Sequence, residues 1–271
     1  MGKYLLILTG FILAIGWATT DTIDFNRWII KIQNVEQASN DVGKIDVSQQ
    51  IRDLILKLNF DGDYTVAEYI GMNPRISRRF ERNPIAARPV DTKFLSDGSV
   101  LAEYDVNLTG TLLKTLMPTT GGGIPLAPLC CPICKQPWPE TLAVPEGVTL
   151  IPKETGITTN YTGIVIDASG LKLSPALFPK IVNEDDKEVY SLGFVSDNSA
   201  QDLGLISYVH NLSEAYSSDR AGLNPLRIDA LRVSGRLNCD IVITNSDAVR
   251  MHQSQSNLKL LEHCQVVVIT E

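Results

Sequence analysis

Basic charge is scarce in this chain. Its 24 Lys and Arg stand against 31 Asp and Glu, a formal net charge of −7. A protein so balanced lacks the long-range positive field that gathers nucleic acid, so nucleic acid is excluded as an expected partner. Long apolar runs are scarcer still: beyond residue 18 nothing is long enough to cross a bilayer as a helix, which takes ~20 residues. Catalytic signatures are missing too. There is no Gly-x-Ser-x-Gly elbow, phosphate-binding glycine loop, Gly-x-Gly-x-x-Gly fingerprint or His-Glu-x-x-His zinc helix. The sequence therefore gives no ground to expect an enzyme, a cofactor or a conventional active site.

The one long apolar run opens the chain. Lys3 precedes Tyr4 to Ala18, which is followed by the polar Thr19-Thr20-Asp21. A basic start, an apolar core of roughly fifteen residues and small residues at the exit (Gly16 and Ala18) are the parts of a secretory signal. Residues 1–18 are accordingly expected to direct export and to be removed after Ala18, leaving a protein of the periplasm or the outer-membrane periphery. No cysteine lies near the exit to carry a lipid, so membrane contact is expected only if the signal stays uncleaved. The whole sequence is 44% apolar and 20% charged, and the residues beyond the signal are enough to bury a core in each of two domains.

Residues 24–117 read as an N-terminal α+β domain. Trp28, Ile30 and Ile32 alternate with polar neighbours, the period of a half-buried strand. Asp46 with Gln49 reads as a capping box opening a helix whose apolar stripe is Val47, Ile51, Leu54, Ile55 and Leu58. Thr65 with Glu68 reads as a second box. Pro74 suits the first turn of a third helix that buries Ile76 and Phe80. Val90 to Phe94 and Val100 to Leu108 alternate on either side of Ser96-Asp97-Gly98, which predicts a hairpin with one apolar face. Thr109 is then expected to cap a short helix through Leu112, Leu113 and Leu116. On the third helix Arg75, Arg78, Arg79 and Arg82 fall on one side. That array is either a docking patch for an anionic surface or simply the helix's solvated face, and the second reading is the simpler.

Eight of the fourteen prolines lie from Pro118 to Pro152, beginning with Gly121-Gly122-Gly123. Residues 118–159 are expected to form a linker without helix or sheet. It holds Cys130, Cys131 and Cys134. Cys131-x-x-Cys134 is half of a zinc-ribbon site, but tetrahedral zinc needs two further ligands and no second pair of this spacing exists. A thioredoxin-like redox role needs the motif at a helix start, not among prolines. A local disulfide or an intermolecular crosslink is the reading favoured, and no metal is expected.

Residues 160–271 read as a C-terminal α/β domain. Tyr161 to Ala168 is a nearly unbroken apolar strand fit for a sheet covered on both faces. Lys180–Val182 and Glu188–Tyr190 flank an acidic turn, which lacks the ligand spacing of a calcium loop. Leu226 to Val233 reads as one strand. Asp240–Thr244, a helical stretch and Gln265–Thr270 read as a terminal βαβ unit with neighbouring parallel strands in one mixed sheet. Cys239 and Cys264 precede those two strands, so they are disulfide candidates alongside Cys131 and Cys134. The expected architecture is α+β, with two small sandwich domains.

Thr92 to Val100, preceded by the helical block from Thr65 to Arg79, resembles the small-domain core of exported bacterial proteins related to the LPP-twenty lipoproteins and flagellar assembly protein T. Tyr161 to Leu171, Pro175-Ala176, Pro179 to Ile181 and Asp240 to Ala248 resemble the companion domain of that group. The resemblance implies an envelope protein that serves assembly, with the flagellum one setting; with the export signal it leads to the expectation of a protein that binds other envelope proteins or cell-wall polymer. Self-association is a separate expectation, since an odd number of cysteines leaves one free or bonded between chains. It brings no catalytic residue. The lipoprotein cysteine is missing here, and the Cys130–Cys134 cluster lies outside the shared pattern.

Overall fold

A computed structural model describes residues 21–37, 47–139, 141–153 and 159–270. The export signal, Asp46 and the loop with Asn40, Asp41 and Gly43 lie outside the described residues. No described helix is long and apolar enough to cross a membrane. The protein is a mixed α+β fold of two domains.

The N-terminal domain comprises β1 (Thr22–Asp24), β2 (Ile29–Gln37), α1 (Ser48–Lys57), α2 (Val66–Met72), α3 (Pro74–Arg82), β3 (Ala87–Phe94), β4 (Ser99–Asn107) and α4 (Thr111–Leu116). The strands form an antiparallel sheet in the order β1-β2-β4-β3. Several local signals are realised as the sequence implies. Thr65 and Glu68 make the reciprocal capping box of α2, and Pro74 occupies the first turn of α3. Others are not. Position 47, not Asp46, is the N-cap of α1, without a side-chain cap bond. Gly110, not Thr109, precedes α4, at φ 73 where a side chain would be strained. The hairpin's apolar face is real only on β4. Val90 and Phe94 of β3 are 54% and 77% exposed, because β3 is the outer strand and its register slips between Pro89 and Asp91.

The stretch joining the domains departs from the expectation of a linker without sheet. Leu129–Cys130 (β5) pairs with Ile151–Pro152 (β6) as a small antiparallel ribbon. Ala127 and Cys130 are buried. The amide of Leu126 donates to Nδ1 of His252 at 2.8 Å, and the opposite ring nitrogen lies 2.7 Å from the Val189 carbonyl. Because Nδ1 accepts, Nε2 carries the proton and donates. His252, fully buried, thus pins the connecting stretch to the C-terminal domain.

That domain contains β7 (Ile164–Asp167), β8 (Ile181–Val182), β9 (Glu188–Tyr190), α5 (Asp197–Leu203), β10 (Ser207–Val209), α6 (Leu212–Ser217), β11 (Leu226–Asp229), β12 (Arg232–Ser234), β13 (Asp240–Val242), α7 (Asn245–His252), α8 (Gln255–Glu262) and β14 (Val266–Ile269). There are two sheets, not one. The first, β10-β14-β7-β11, is parallel throughout. The second, β12-β13-β8-β9, is mixed. The first is covered on both faces, as β7's apolar run implies: Ile164, Ile166, Val266 and Val268 enter the main core, while Val165, Val267 and Ile269 pack with Ala215 and Ala221 on the other side.

Two sequence expectations fail here for one reason. Leu226 to Val233 is not a single strand, because the chain changes sheets between β11 and β12. The terminal β-α-β run likewise crosses from one sheet to the other, so β13 and β14 are not neighbours. Short apolar strands carry no label for the sheet they join; tertiary packing decides it.

The two domains share one continuous core, running from Ile30, Ile51 and Phe80 to Ile166, Leu177 and Val268. Trp28, 1% exposed, donates its indole N–H to the Ile206 carbonyl at 3.0 Å across the junction. Gly204 makes room for it: a β-carbon there would lie 2.3 Å from the indole. Backbone bonds add to the junction, from Phe178 N–H to Phe60 O at 2.7 Å, Leu237 N–H to Gly62 O at 2.8 Å and Gly110 N–H to Gln201 O at 2.7 Å.

Candidate functional site

Helix α3 is built to show its arginines. Pro74 fixes its first turn, Phe80 is buried beneath it, and Arg75, Arg78, Arg79 and Arg82 are all exposed. Arg79 and Arg82 lie in the last turn, where the helix dipole favours positive charge. A fifth arginine secures that end from below: Arg52 of α1 donates to the Phe80 carbonyl at 3.1 Å while its guanidinium sits 5.5 Å from the Phe80 ring centre. Arg79 donates to the Lys114 carbonyl at 2.7 Å, and Arg78 Nε lies 3.3 Å from the Pro74 carbonyl. Arg75 and Arg82 have no hydrogen-bond or ion-pair partner among the described residues. Arg75 and Arg79 border an open cleft of about 560 Å³ together with Tyr69, Ile76, Met117 and Pro118. The sequence-level array is therefore exposed as a whole, but only two of its members share a concave site.

The first residues after α4 separate this cleft from a second, of about 400 Å³, lined by Phe60, Asp61, Gly121 to Gly123, Phe178, Lys180 and Glu188. Tyr69 stacks on Phe60 with centroids 3.6 Å apart, so one aromatic pair backs both hollows. In the second, Lys180 and Glu188 pair at 3.0 Å. Burial works against the charge of each, but their mutual attraction, with Ser191 also donating to Glu188, outweighs it: Lys180 is held above its ordinary range and Glu188 below. Beside them Asp240 accepts the Lys180 amide at 2.8 Å. Burial, helped by the negative neighbours Asp61 and Asp63, pushes its carboxyl up to about 6. This junction escaped the sequence reading. Its members are spread over more than a hundred positions, and Gly121-Gly122-Gly123, the one visible hint, reads equally as a linker.

All five cysteines are free thiols. Cys239 and Cys264 do not come together as neighbouring parallel strands would have brought them, because those strands belong to different sheets. Burial pushes their thiols up to about 12 and about 11, the state of inert core cysteines. Cys131 and Cys134 sit in the turn that directly follows β5. There the amides of Cys134 and Ile133 point at the Cys131 sulfur, outweighing a small cost of burial, and the Cys134 thiol and Lys135 assist; together they lower the Cys131 thiol. The acidic turn after β8 is a helix cap: Glu184 accepts the Asn245 amide at 2.9 Å at the start of α7, where negative charge is favoured.

These features define a two-domain α+β protein with an exposed basic helix and a thiol-bearing loop on a shared core. Within it, residues 163–271, less than half of the chain, match the bacterial domain family described as Treponema pallidum Tp0624, second domain. The match extends from just before β7 through β14 and carries no link to the LPP-twenty lipoproteins or to flagellar assembly protein T. No curated protein matches the chain.

Proposed function

We propose that the protein is an exported, non-enzymatic envelope factor that works by binding, holding other envelope proteins or cell-wall polymer during the assembly of a surface structure. The observation that carries this reading is the α3 array. Four exposed guanidinium groups stand on one short helix of an otherwise acidic protein, two of them without a partner among the described residues and two beside a cleft with an aromatic wall. Arginine forks match carboxylates in pairs of hydrogen bonds, and carboxylates are borne by cell-wall peptides and by acidic protein surfaces. The sequence resemblance to LPP-twenty and flagellar assembly proteins supports the same role.

Two measurements test it. N-terminal sequencing of envelope fractions should find a chain starting near Thr19; a cytosolic chain retaining Met1 contradicts export. Purified protein should sediment with isolated cell-wall sacculi or crosslink to envelope proteins in intact cells, and the contact should weaken with salt. The triple variant R75E/R78E/R82E should lose it at least tenfold while the melting temperature falls by only a few degrees, the small cost of reversing charge in the last turn of α3. Arg79 is left intact because it anchors the Lys114 carbonyl. Full retention of binding by the triple variant contradicts the reading.

A further inference from the structure

We propose that the crevice at the carboxyl ends of the parallel sheet is a separate binding site, which takes a small hydroxyl-bearing organic anion (a sugar acid or a polyol phosphate) on Arg27 and Lys31.

The crevice follows from the order of the strands. β7 is followed by α5, whose Ala200 packs in the main core, whereas β10 is followed by α6, whose Ala215 packs on the opposite face of the sheet. β14 lies between β7 and β10. The chains leaving β7 and β10 thus part to opposite faces, and such a parting opens a hollow at the carboxyl ends of the strands, where open parallel sheets bind their ligands. A hollow of about 500 Å³ is found there. Tyr208 and His210 line it from the end of β10, Thr270 from the end of β14 and Pro175 from the chain after β7. Its other wall belongs to the N-terminal domain: the turn between β1 and β2 brings Phe25 and Arg27, and β2 adds Lys31. A cleft between domains is itself a preferred place for a small ligand.

The wall that carries the cations is fixed in place. Asp24 accepts the amides of Asn26 and Arg27 at 3.1 and 3.0 Å, and Trp28 closes the turn at φ 55 with its indole bonded to Ile206. Asn26 accepts the Ser207 hydroxyl at 2.7 Å, a second tie to β10. Arg27 and Lys31 are nevertheless exposed, and neither side chain has a hydrogen-bond or ion-pair partner among the described residues. The carboxylates around them are engaged elsewhere. Glu214 accepts the His210 amide at 3.1 Å and the Asn211 side-chain amide at 2.7 Å. In an adjoining hollow of about 390 Å³ that Arg27 and Lys31 also line, Glu103 pairs with Lys93 at 3.2 Å and Asp105 with Arg88 at 3.5 Å. Two bare cations on a rigid wall are preorganised for an anion, and the guanidinium can grip a carboxylate or phosphate through two bonds. Asp24 and Glu214 line the same crevice and would repel a ligand that was anionic throughout, so its remainder must offer them donors. Hydroxyl groups do so, and the hydroxyls of Thr22 and Thr270 at the rim can bond to them as donor or acceptor.

The test is an NMR titration of the purified protein with glucuronate and glycerol phosphate as the anionic probes and with glucose and glycerol as their neutral counterparts. At least one anion should bind with a dissociation constant of about 1 mM or tighter. It should move the Arg27 side-chain Nε–H signal together with the amides of Lys31, His210 and Thr270, and its neutral counterpart should bind at least tenfold more weakly. Which anion binds more tightly decides between a carboxylate and a phosphate ligand. R27Q/K31Q should lose binding at least tenfold while melting as the parent does, because neither side chain has a partner to lose. R75E/R78E/R82E, which removes more positive charge from a different place, should bind as the parent does. The proposal is overturned if neither anion moves these signals, if a neutral probe binds as well as its anion, or if R27Q/K31Q binds undiminished. It is equally overturned if the shifts scatter over surface lysines or the α3 variant loses binding, since either would mark a general attraction of anions to positive charge. Because the readout lies at the crevice, the proposal can fail while the arginine helix still binds its partner, and the reverse.

Discussion

The two domains solve the same problem, burying a four-stranded sheet, in opposite ways. In the N-terminal domain one edge is left open: β3 is exposed along nearly its whole length, and the neighbouring helix α3 turns four arginines to solvent. In the C-terminal domain β7 and β14 are paired on both edges and covered on both faces, and every residue of β14 is buried. One domain is therefore a display and the other a frame. The core that runs between them means the display is mounted on the frame, not hung from a flexible linker. Exposed binding groups are best held this way, because rigid mounting reduces the ordering cost of association.

The sharpest way to break this comparison is to remove the side chain that joins the domains. Trp28→Ala deletes a buried indole and its bond to Ile206. A loss of ~3–5 kcal/mol is expected, the usual cost of emptying an aromatic site in a core. Urea unfolding should show the loss in both domains. If only the N-terminal sheet weakens, the frame is independent of the display.

A smaller effect is expected at the connecting stretch. His252→Ala removes the acceptor for Leu126 and the donor for Val189, leaving two backbone groups unsatisfied at a cost of ~1–3 kcal/mol. Limited proteolysis between Pro118 and Pro152 should accelerate, while the sheets hold. The same site gives a pH dependence. Burial depresses the imidazole's pKa in the folded state, despite its bond to the Val189 carbonyl. The unfolded chain therefore takes up the proton first as the pH falls. Stability from this residue is complete above the ordinary histidine range and is lost as the pH drops through the folded value.

The smallest effect has the opposite sign. Asp240 is raised from 3.8 to about 6 in the fold, so the folded state prefers its protonated form. Its contribution to stability is present below about pH 4 and is lost as the pH rises through about 6. Asp240→Asn keeps an oxygen for the Lys180 amide and removes the buried charge. It should stabilise the protein by ~1–2 kcal/mol at pH 7 and by nothing measurable at pH 4. A variant equally stabilised at both values would mean that the charge is not the cause.

What the sequence disclosed divides along the same line. Local signals were readable wherever neighbours in the chain decide the outcome: the Thr65–Glu68 box, Pro74 opening α3, the turn at Asp97-Gly98 and the two-sided burial of β7. The arginine array was readable because helical spacing alone puts four side chains on one side. The cleft beside it was not, since Tyr69 and Met117 reach it from different elements. Nor was the choice of sheet for β12, β13 and β14, which depends on partners far along the chain. The Trp28–Ile206 bond spans the whole junction, and no periodicity announces it. The connecting stretch misled most, because a run rich in proline and glycine reads as unattached until the ring of His252 is seen holding it.

Native-state hydrogen exchange across the two domains bears most directly on the claim that display and frame are one unit. Amides of Ile30 and Ile32 in β2 and of Ile164 and Ile166 in β7 all lie in the shared core. Under graded urea their opening free energies should converge on a single value and fall with a common slope. Opening of β2 at several kcal/mol below β7, with its own shallow slope, would show that the N-terminal domain unfolds alone and would contradict the account.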